Sequence, residues 1–317
     1  MKELLDVLDA MGRFASAGER MALATIVTVR GSTYRREGAR LLLTAGQQMV
    51  GNISGGCLES DLMVVADEVM ASGTPRVATY DLTADDDAVW GLGLGCNGAV
   101  DVFVEPLDPT SRQWPLLREV IDGEQTAALI KALDSPSAGR WMVVRSGGGR
   151  VGSLGEAALD DRAARAADAA MTEGASRLIT LPGEGGEIRL FVEVLRPPVR
   201  LIICGAGHDA VPVVQFASHL GWRTVLVDQR QRFLSADRFP GAQRFIQAEP
   251  ADAAGVVPID GRTYVVVMTH NYLHDRDLLR GFLATPVRYI GMLGPRLRTE
   301  KILDELAASG TSVAPRD

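Results

Sequence analysis

The segment Leu201 Ile202 Ile203 Cys204 Gly205 Ala206 Gly207 His208 Asp209 Ala210 constrains the fold more than any other stretch of the chain. A β-branched apolar run stops at two glycines one residue apart, and a helical pattern follows. Gly205 permits a tight turn, Gly207 lets a phosphate approach the backbone, and the amides opening the next helix attract negative charge. Asp228 closes the following strand, where a carboxylate can accept hydrogen bonds from a ribose diol. Further on, strand-like runs at 244–247, 264–268 and 287–290 are interleaved with helical patterns at 275–283 and 299–308. That alternation specifies a parallel sheet with right-handed crossovers and helices on both faces. Pro197 and Pro198 mark where it begins. The expected fold class is α/β in two domains: an N-terminal mixed α/β domain over 1–197 and a C-terminal Rossmann-like parallel sheet flanked by helices over 198–317.

Ligands of open α/β sheets collect at the carboxyl edge of the strands. Gly205, Gly207, His208 and Asp228 should lie there, with Arg230 and Arg232 presenting guanidiniums that suit a phosphate. Thr269 His270 Asn271 follow another strand and should project from the same edge. His270 and His274, four apart, together with His208, raise a metal reading, yet no His-Glu-x-x-His pattern or cysteine pair accompanies them. A hydrogen bond from His270 to a bound ligand is the stronger reading. The glycines also suit plain strand-to-helix packing, and Asp228 a turn cap.

The N-terminal half opens with an amphipathic helix, and its strand 22–29 runs into Arg30 Gly31 Ser32 Thr33. Gly51 Asn52 Ile53 Ser54 Gly55 Gly56 Cys57 Leu58 Glu59 leads into a helix whose dipole would favour a thiolate at Cys57. Cys96 sits in Gly91 Leu92 Gly93 Leu94 Gly95 Cys96 Asn97 Gly98, too rich in glycine to be explained by helix or strand. Two glycine-bounded cysteines suggest soft-ligand or sulfur chemistry, against the plainer reading that small thiols fill tight crossings. Cys96 is favoured over Cys57 as the metal contact because glycines flank it on both sides. Cys204, ending a central apolar strand, reads as packing. Pro106, Pro109 and Pro115 interrupt the pattern between strands. Val102 Phe103 Val104 Glu105 Pro106 and Leu190 Phe191 Val192 Glu193 Val194 echo one another, as two strands of one sheet separated by an insertion would.

Composition excludes several partners. A net charge of -7 and an aromatic content of 5% suit neither a phosphate backbone nor base stacking, so no nucleic acid is expected. No apolar run reaches bilayer length, and three cysteines are too few and too oddly numbered for a disulfide scaffold. A cytoplasmic location is expected.

Taken together, the Arg30–Thr33, Gly38–Arg40, Gly51–Glu59 and Gly91–Gly98 motifs resemble the N-terminal part of the XdhC and CoxI family. Gly205–His208, Asp228 with Arg230, Thr269–Asn271 and Tyr289–Arg296 resemble its Rossmann-like part. The resemblance spans almost the whole chain. It implies an accessory protein for molybdenum hydroxylases such as xanthine dehydrogenase or carbon monoxide dehydrogenase. Such a protein binds molybdenum cofactor of the molybdopterin type, shields it while a cysteine desulfurase helps install its terminal sulfur, and hands it to the apoenzyme without turnover of its own. It also implies a homo-oligomer. The sulfur-facing role would fall on Cys57 or Cys96, and nucleotide or pterin-phosphate binding on Gly205, Gly207 and Asp228. Tyr34 departs from the proline common in the family, and relatives usually continue beyond the position of Asp317 in a segment expected to complete a pocket or an oligomer contact. The alternative reading is a nicotinamide-dependent oxidoreductase binding a dinucleotide.

Overall fold

The computed structural model describes residues 2–81 and 97–311. They form two compact units, Met1–Pro197 and Pro198–Asp317. Helix α1 (Lys2–Ser16) opens the first unit, followed by strands β1 (Met21–Ser32), β2 (Arg40–Thr44) and β3 (Met49–Gly51), helix α2 (Glu59–Ser72), and strands β4 (Arg76–Asp81) and β5 (Asn97–Pro106). The same succession then repeats: α3 (Gln113–Asp122), β6 (Ala127–Ala132), β7 (Trp141–Arg145), β8 (Arg150–Ser153), α4 (Ala157–Glu173), β9 (Arg177–Gly183) and β10 (Gly186–Leu195). Each set makes one antiparallel five-stranded sheet, ordered β3-β2-β1-β5-β4 and β8-β7-β6-β10-β9. The first unit is thus one supersecondary design used twice.

Local chemistry follows the repetition. Helix α2 ends at Gly73 and α4 at Gly174, each left-handed, with φ of 68° and 71°, and each donates its N–H to a carbonyl four residues back. Glycine takes that conformation without a Cβ penalty. Helix α2 covers one face of the first sheet through Leu62, Val65, Ala66 and Val69, against Ala24, Ile26, Leu41 and Val102. Helix α4 covers the corresponding face of the second sheet through Leu159, Ala163, Ala167 and Ala170. The opposite faces share a core with α1 and α3, in which Leu23 and Leu42 of the first sheet join Leu129 and Val143 of the second.

The echoed strands are β5 and β10, which belong to different sheets. The expected single sheet with an insertion is therefore corrected to equivalent positions in two sheets. Phe103 and Phe191 are both buried in one small cluster. Glu105 and Glu193 are buried too, and each meets a cation from the other sheet. Glu105 accepts from Lys131 Nζ at 2.8 Å, while Arg40 Nη1 donates to Glu193 Oε1 at 2.9 Å. Gln113 Oε1 accepts from the same Lys131 at 3.0 Å. Pro115 does not interrupt structure. It sits in the first turn of α3, where a missing N–H removes no helical bond.

The second unit is a five-stranded parallel sheet of β11 (Arg200–Cys204), β12 (Arg223–Asp228), β13 (Arg244–Gln247), β14 (Thr263–Val267) and β15 (Tyr289–Met292), ordered β13-β12-β11-β14-β15. Leu201 and Ile203 face helix α5 (Ala210–His219), and Ile202 and Cys204 face helices α6 (Ala253–Val256) and α7 (Tyr272–Leu283). Helix α8 (Arg296–Ala308) packs on α7 through Ile302 and Leu306. The chain turns from β11 outward in both directions, which opens a crevice at the carboxyl end of β11.

Removing one member of a buried ion pair strands the other charge and costs about 3–5 kcal/mol, whereas replacing both by apolar groups costs little. Glu193→Ala should therefore lower the stability of the full chain by about that amount, and Arg40→Met with Glu193→Leu should recover most of the loss. Urea denaturation reads both; a Glu193→Ala cost under about 1 kcal/mol would mean the pair is effectively solvated.

Candidate functional site

In the first unit the N-terminal motifs converge on one end of the first sheet. The last residues of β1 pair with the start of β5, Gly31 against Gly98 and Ser32 against Asn97. A Cβ on Gly98 would lie 2.5 Å from the carbonyl oxygen of Arg30, so only glycine permits that crossing. Arg30 holds Asp101 through two hydrogen bonds, of 2.7 and 3.1 Å, and Thr79 donates to the same carboxylate. The Tyr34 ring stands 3.3 Å from where a Cβ on Gly55 would be, which joins the loop after β1 to the loop before α2. Tyr80 on β4 donates to Asp61 on α2 at 2.6 Å, and burial followed by that carboxylate pushes its phenol upward. The half-buried Cys57 stands in this cluster, two residues before the start of α2. Cys96 and the glycines at 91, 93 and 95 lie outside the described residues.

Glu59 organises the Cys57 loop. Its Oε1 accepts from the amides of Ile53 and Ser54, and its Oε2 from those of Gly56 and Leu58 and from the Ser54 hydroxyl. Burial raises the Glu59 carboxyl, but these donors outweigh it and hold it below the ordinary carboxylate range. The sequence motif contained Glu59 without revealing this role, because the role depends on four amides turning toward one point.

The second repeat provides an internal comparison. Its connection from β8 to α4 is residues 154–156, where the first repeat has 52–58; its β9–β10 turn is residues 184–185, where the first has 82–96. Asp160 still accepts from Leu154 N at 2.7 Å, as Glu59 does in its longer loop. The sheet-and-helix design therefore closes without glycine–cysteine loops. The first repeat's two longer connections hold Cys57 and Cys96.

The second unit holds a cavity of about 260 Å³ at the crevice, lined by Gly205, Asp228, Arg230, Pro250, Thr269 and His270 among others. Gly205 has φ +112°, and a Cβ there would lie 2.6 Å from the carbonyl oxygen of Met268. Asp228 is buried; it accepts from Ala206 N and Arg230 N at 2.8 Å each, and from Arg230 Nε and Nη2 at 2.9 Å each. Burial raises its carboxyl, while Arg230 and the two amides outweigh that and hold it low. These donors fill the acceptor sites that a ribose diol would use. Asn271 caps α7, its Oδ1 accepting from Leu273 N and His274 N at 3.0 and 3.1 Å. His270 takes a left-handed backbone, φ 59°, and its Nε2 is 2.7 Å from Asp209 Oδ2. His208 is exposed. Cys204 ends β11 as a buried thiol, pushed far up by burial and by Asp275 and Asp228. Among the described residues no group of three His, Cys, Asp or Glu side chains is arranged to hold a metal ion. Among them, too, no helix is long and apolar enough to cross a membrane.

Residues 201–316 match the XdhC Rossmann domain family, and residues 14–81 match the XdhC and CoxI family. A crystal structure described as a xanthine dehydrogenase from Bacillus halodurans superposes with a TM-score of 0.75 at 31% identity, covering 98% of this chain and 87% of that one. A probable xanthine dehydrogenase subunit from Bacillus subtilis (strain 168) is 29% identical over 90% of this chain and 82% of its own. The molybdenum cofactor insertion chaperone PaoD of Escherichia coli (strain K12) is 22% identical over 88% of this chain and 68% of its own.

Glu59 and Asp228 both titrate below the ordinary range in the folded protein. Their stabilisation is complete above the unfolded-state values and is lost as pH falls through the folded ones. Glu59→Gln and Asp228→Asn should each flatten the acid side of the stability profile. Urea midpoints taken at descending pH measure this, and profiles parallel to the wild type would contradict the roles given to these carboxylates.

Proposed function

Since this chain belongs to the XdhC and CoxI family, we propose that it serves in the maturation of a molybdenum hydroxylase, binding molybdenum cofactor as cargo and passing it to the apoenzyme. The single observation carrying this reading is the asymmetry between the repeats: glycine–cysteine loops extend one copy of a design that its twin completes without them. Relatives described as a molybdenum cofactor insertion chaperone and as part of a xanthine dehydrogenase support it.

The residues fit such cargo. Cys57 is a soft donor, half-buried at a loop whose shape Glu59 fixes from within, so a sulfur–metal contact can form and exchange without moving the sheet. Cys96 keeps the role assigned from its glycine-flanked loop, as the preferred contact to the metal or its terminal sulfur. In the second unit the cavity lined by Gly205, Asp228 and Arg230 suits a phosphate-bearing group, and His270 borders it. When bound, the cofactor supplies the molybdenum centre on which the client's hydroxylation depends. The protein's part is to hold the cofactor, keep oxidants from its sulfur during cysteine desulfurase-assisted loading, and release it. A homo-oligomer in the cytoplasm is the form in which we expect it to act.

A second reading, a nicotinamide-dependent oxidoreductase, is favoured by the strand, glycine turn and helix at Gly205. Anaerobic reconstitution with molybdenum cofactor, followed by metal and pterin analysis of the repurified chain, separates the two. Cys96→Ser should retain much less of both than wild type, with Cys57→Ser less affected. Full retention by Cys96→Ser alongside a large loss in Cys57→Ser would reverse that ranking, and no retention by wild type would remove the maturation reading.

A further inference from the structure

The parallel sheet of the second unit is covered evenly on one face and unevenly on the other. On the first face, Ile202, Val225, Val265 and Val267 are sealed by α6 and α7, and α8 packs on α7 from outside. On the second, α5 and the connection between β12 and β13 cover Leu201, Ile203 and Leu226. Strands β14 and β15 present Tyr264, Val266 and Tyr289 on that side, and among the described residues no helix of this unit lies over them. Tyr264 and Val266 are accordingly half-buried between fully buried neighbours in β14, and Tyr289 is 60% exposed. Parallel sheets are stable with both faces covered, so two strands bare on one side mark a surface that something else completes.

Helix α5 turns an apolar flank to that bare half. Its Ser218 side abuts the connection between β12 and β13, where a Cβ on Gly241 would stand 2.8 Å from Ser218 Oγ. By the helical repeat, the opposite flank points over β14 and β15, and it carries Val213, Phe216 and Leu220. Phe216 is 71% and Leu220 60% exposed. Just beyond the helix, the Trp222 ring lies 5.8 Å from that of Tyr264, which lies 6.3 Å from that of Tyr289, so an apolar floor runs from the end of α5 to the edge of the sheet. Two strands about 4.8 Å apart offer the width that one helix, about 10 Å across, covers. Measured from the line of Ala210, Val214 and Ala217, which faces its own sheet, Leu220 lies about 90° round the helix and Phe216 about 130°. A helix laid beside α5 would cover Leu220. Phe216, angled out of the helix layer, needs a further surface above it.

We propose that this surface pairs with the same surface of a second copy of the chain about a two-fold axis, the two α5 helices lying side by side in one layer between two sheets. Each α5 fills the bare half of the other copy's sheet, and Phe216 meets the partner's Tyr264 and the partner's Tyr289. A lone foreign helix would supply only the neighbour beside α5; a second copy supplies that neighbour and the surface above it from one self-complementary patch, as a two-fold contact requires. At roughly 200 Å² for a fully exposed side chain of this size, Phe216, Leu220 and Tyr289 offer about 400 Å² per copy, or about 800 Å² for the pair. Val213, Tyr264 and Val266 bring this to the ~1,000 Å² that a specific interface needs. The proposal rests on the reading that the chain acts as a homo-oligomer and names the surface by which it does so; the cofactor reading does not depend on it.

Sedimentation equilibrium of the full chain tests this. Wild type should be a dimer at micromolar concentration. Phe216→Glu and Tyr289→Glu alter exposed side chains, so each variant should keep the wild-type circular dichroism spectrum. Each should nevertheless raise the dissociation constant at least about a hundredfold, because symmetry places every anchor in the interface twice. Val256→Glu changes an exposed apolar residue on α6, at the other face, and should leave the constant unchanged. A wild type that stays monomeric at its highest soluble concentration would overturn the surface and the homo-oligomer together. A dimer indifferent to Phe216→Glu or to Tyr289→Glu, or weakened as much by Val256→Glu, would overturn the surface and leave the homo-oligomer standing.

Discussion

Two carboxylates are carried into the core between the sheets of the first unit, and each is neutralised from the opposite sheet. Much else follows from this crossed arrangement. A buried charge tolerates little displacement of its partner, so the pairs Arg40–Glu193 and Lys131–Glu105 fix how one sheet lies on the other where apolar packing alone would permit sliding. Fixing the sheets fixes the strand ends, and the loops that carry Tyr34 and Cys57 leave from the ends of β1 and β3. Arg40 makes the link directly, since its guanidinium holds Glu193 while its carbonyl accepts from Asn52 N, at the start of the Cys57 loop, at 2.9 Å.

The glutamates were visible in the sequence as a five-residue echo, but their meaning was not. Apolar positions tolerate exchange among residues of similar volume, so two copies of a fold can lose nearly every identity while keeping their pattern. The Phe and Glu of each copy are the shared positions where ring volume and charge have specific partners. The second unit was far more legible. Its central strands β11 and β12 are buried on both faces and read as apolar runs, and Gly205 is demanded by a carbonyl that leaves no room for a side chain. Helix α3 was hidden by Pro115, a residue that breaks helices everywhere except in the first turn.

Site residues divide along a similar line. Types with one dominant use, such as glycine at a close crossing or an acid after the second strand of a parallel sheet, were named from the sequence. Glu59 and Asp209 were not given roles, because an acidic side chain near a helix start can face solvent, cap the helix or fold back on a loop, and only the backbone decides. Asn271 shows the converse: a polar residue at the ligand edge whose oxygen is spent on the helix it begins. The glycine turn teaches the same lesson at the scale of a motif. Gly205 and Gly207 describe a backbone shape, while the charge that shape presents depends on Asp209 and on where Asp228 points.

Cys204 has a consequence for watching this molecule at work. Its sulfur lies at the centre of the parallel sheet, shut away from solvent and held as a neutral thiol by burial and by two neighbouring acids. A thiol reagent reaches it only when the strands around it part, so in a chain whose other cysteines are serine, the rate of labelling becomes a stopwatch for opening of the second unit. Loading that unit with a small molecule slows the stopwatch by the fraction of time the open form is suppressed. The protein thus contains its own chemical gauge of occupancy, set one residue before the glycine that shapes the turn.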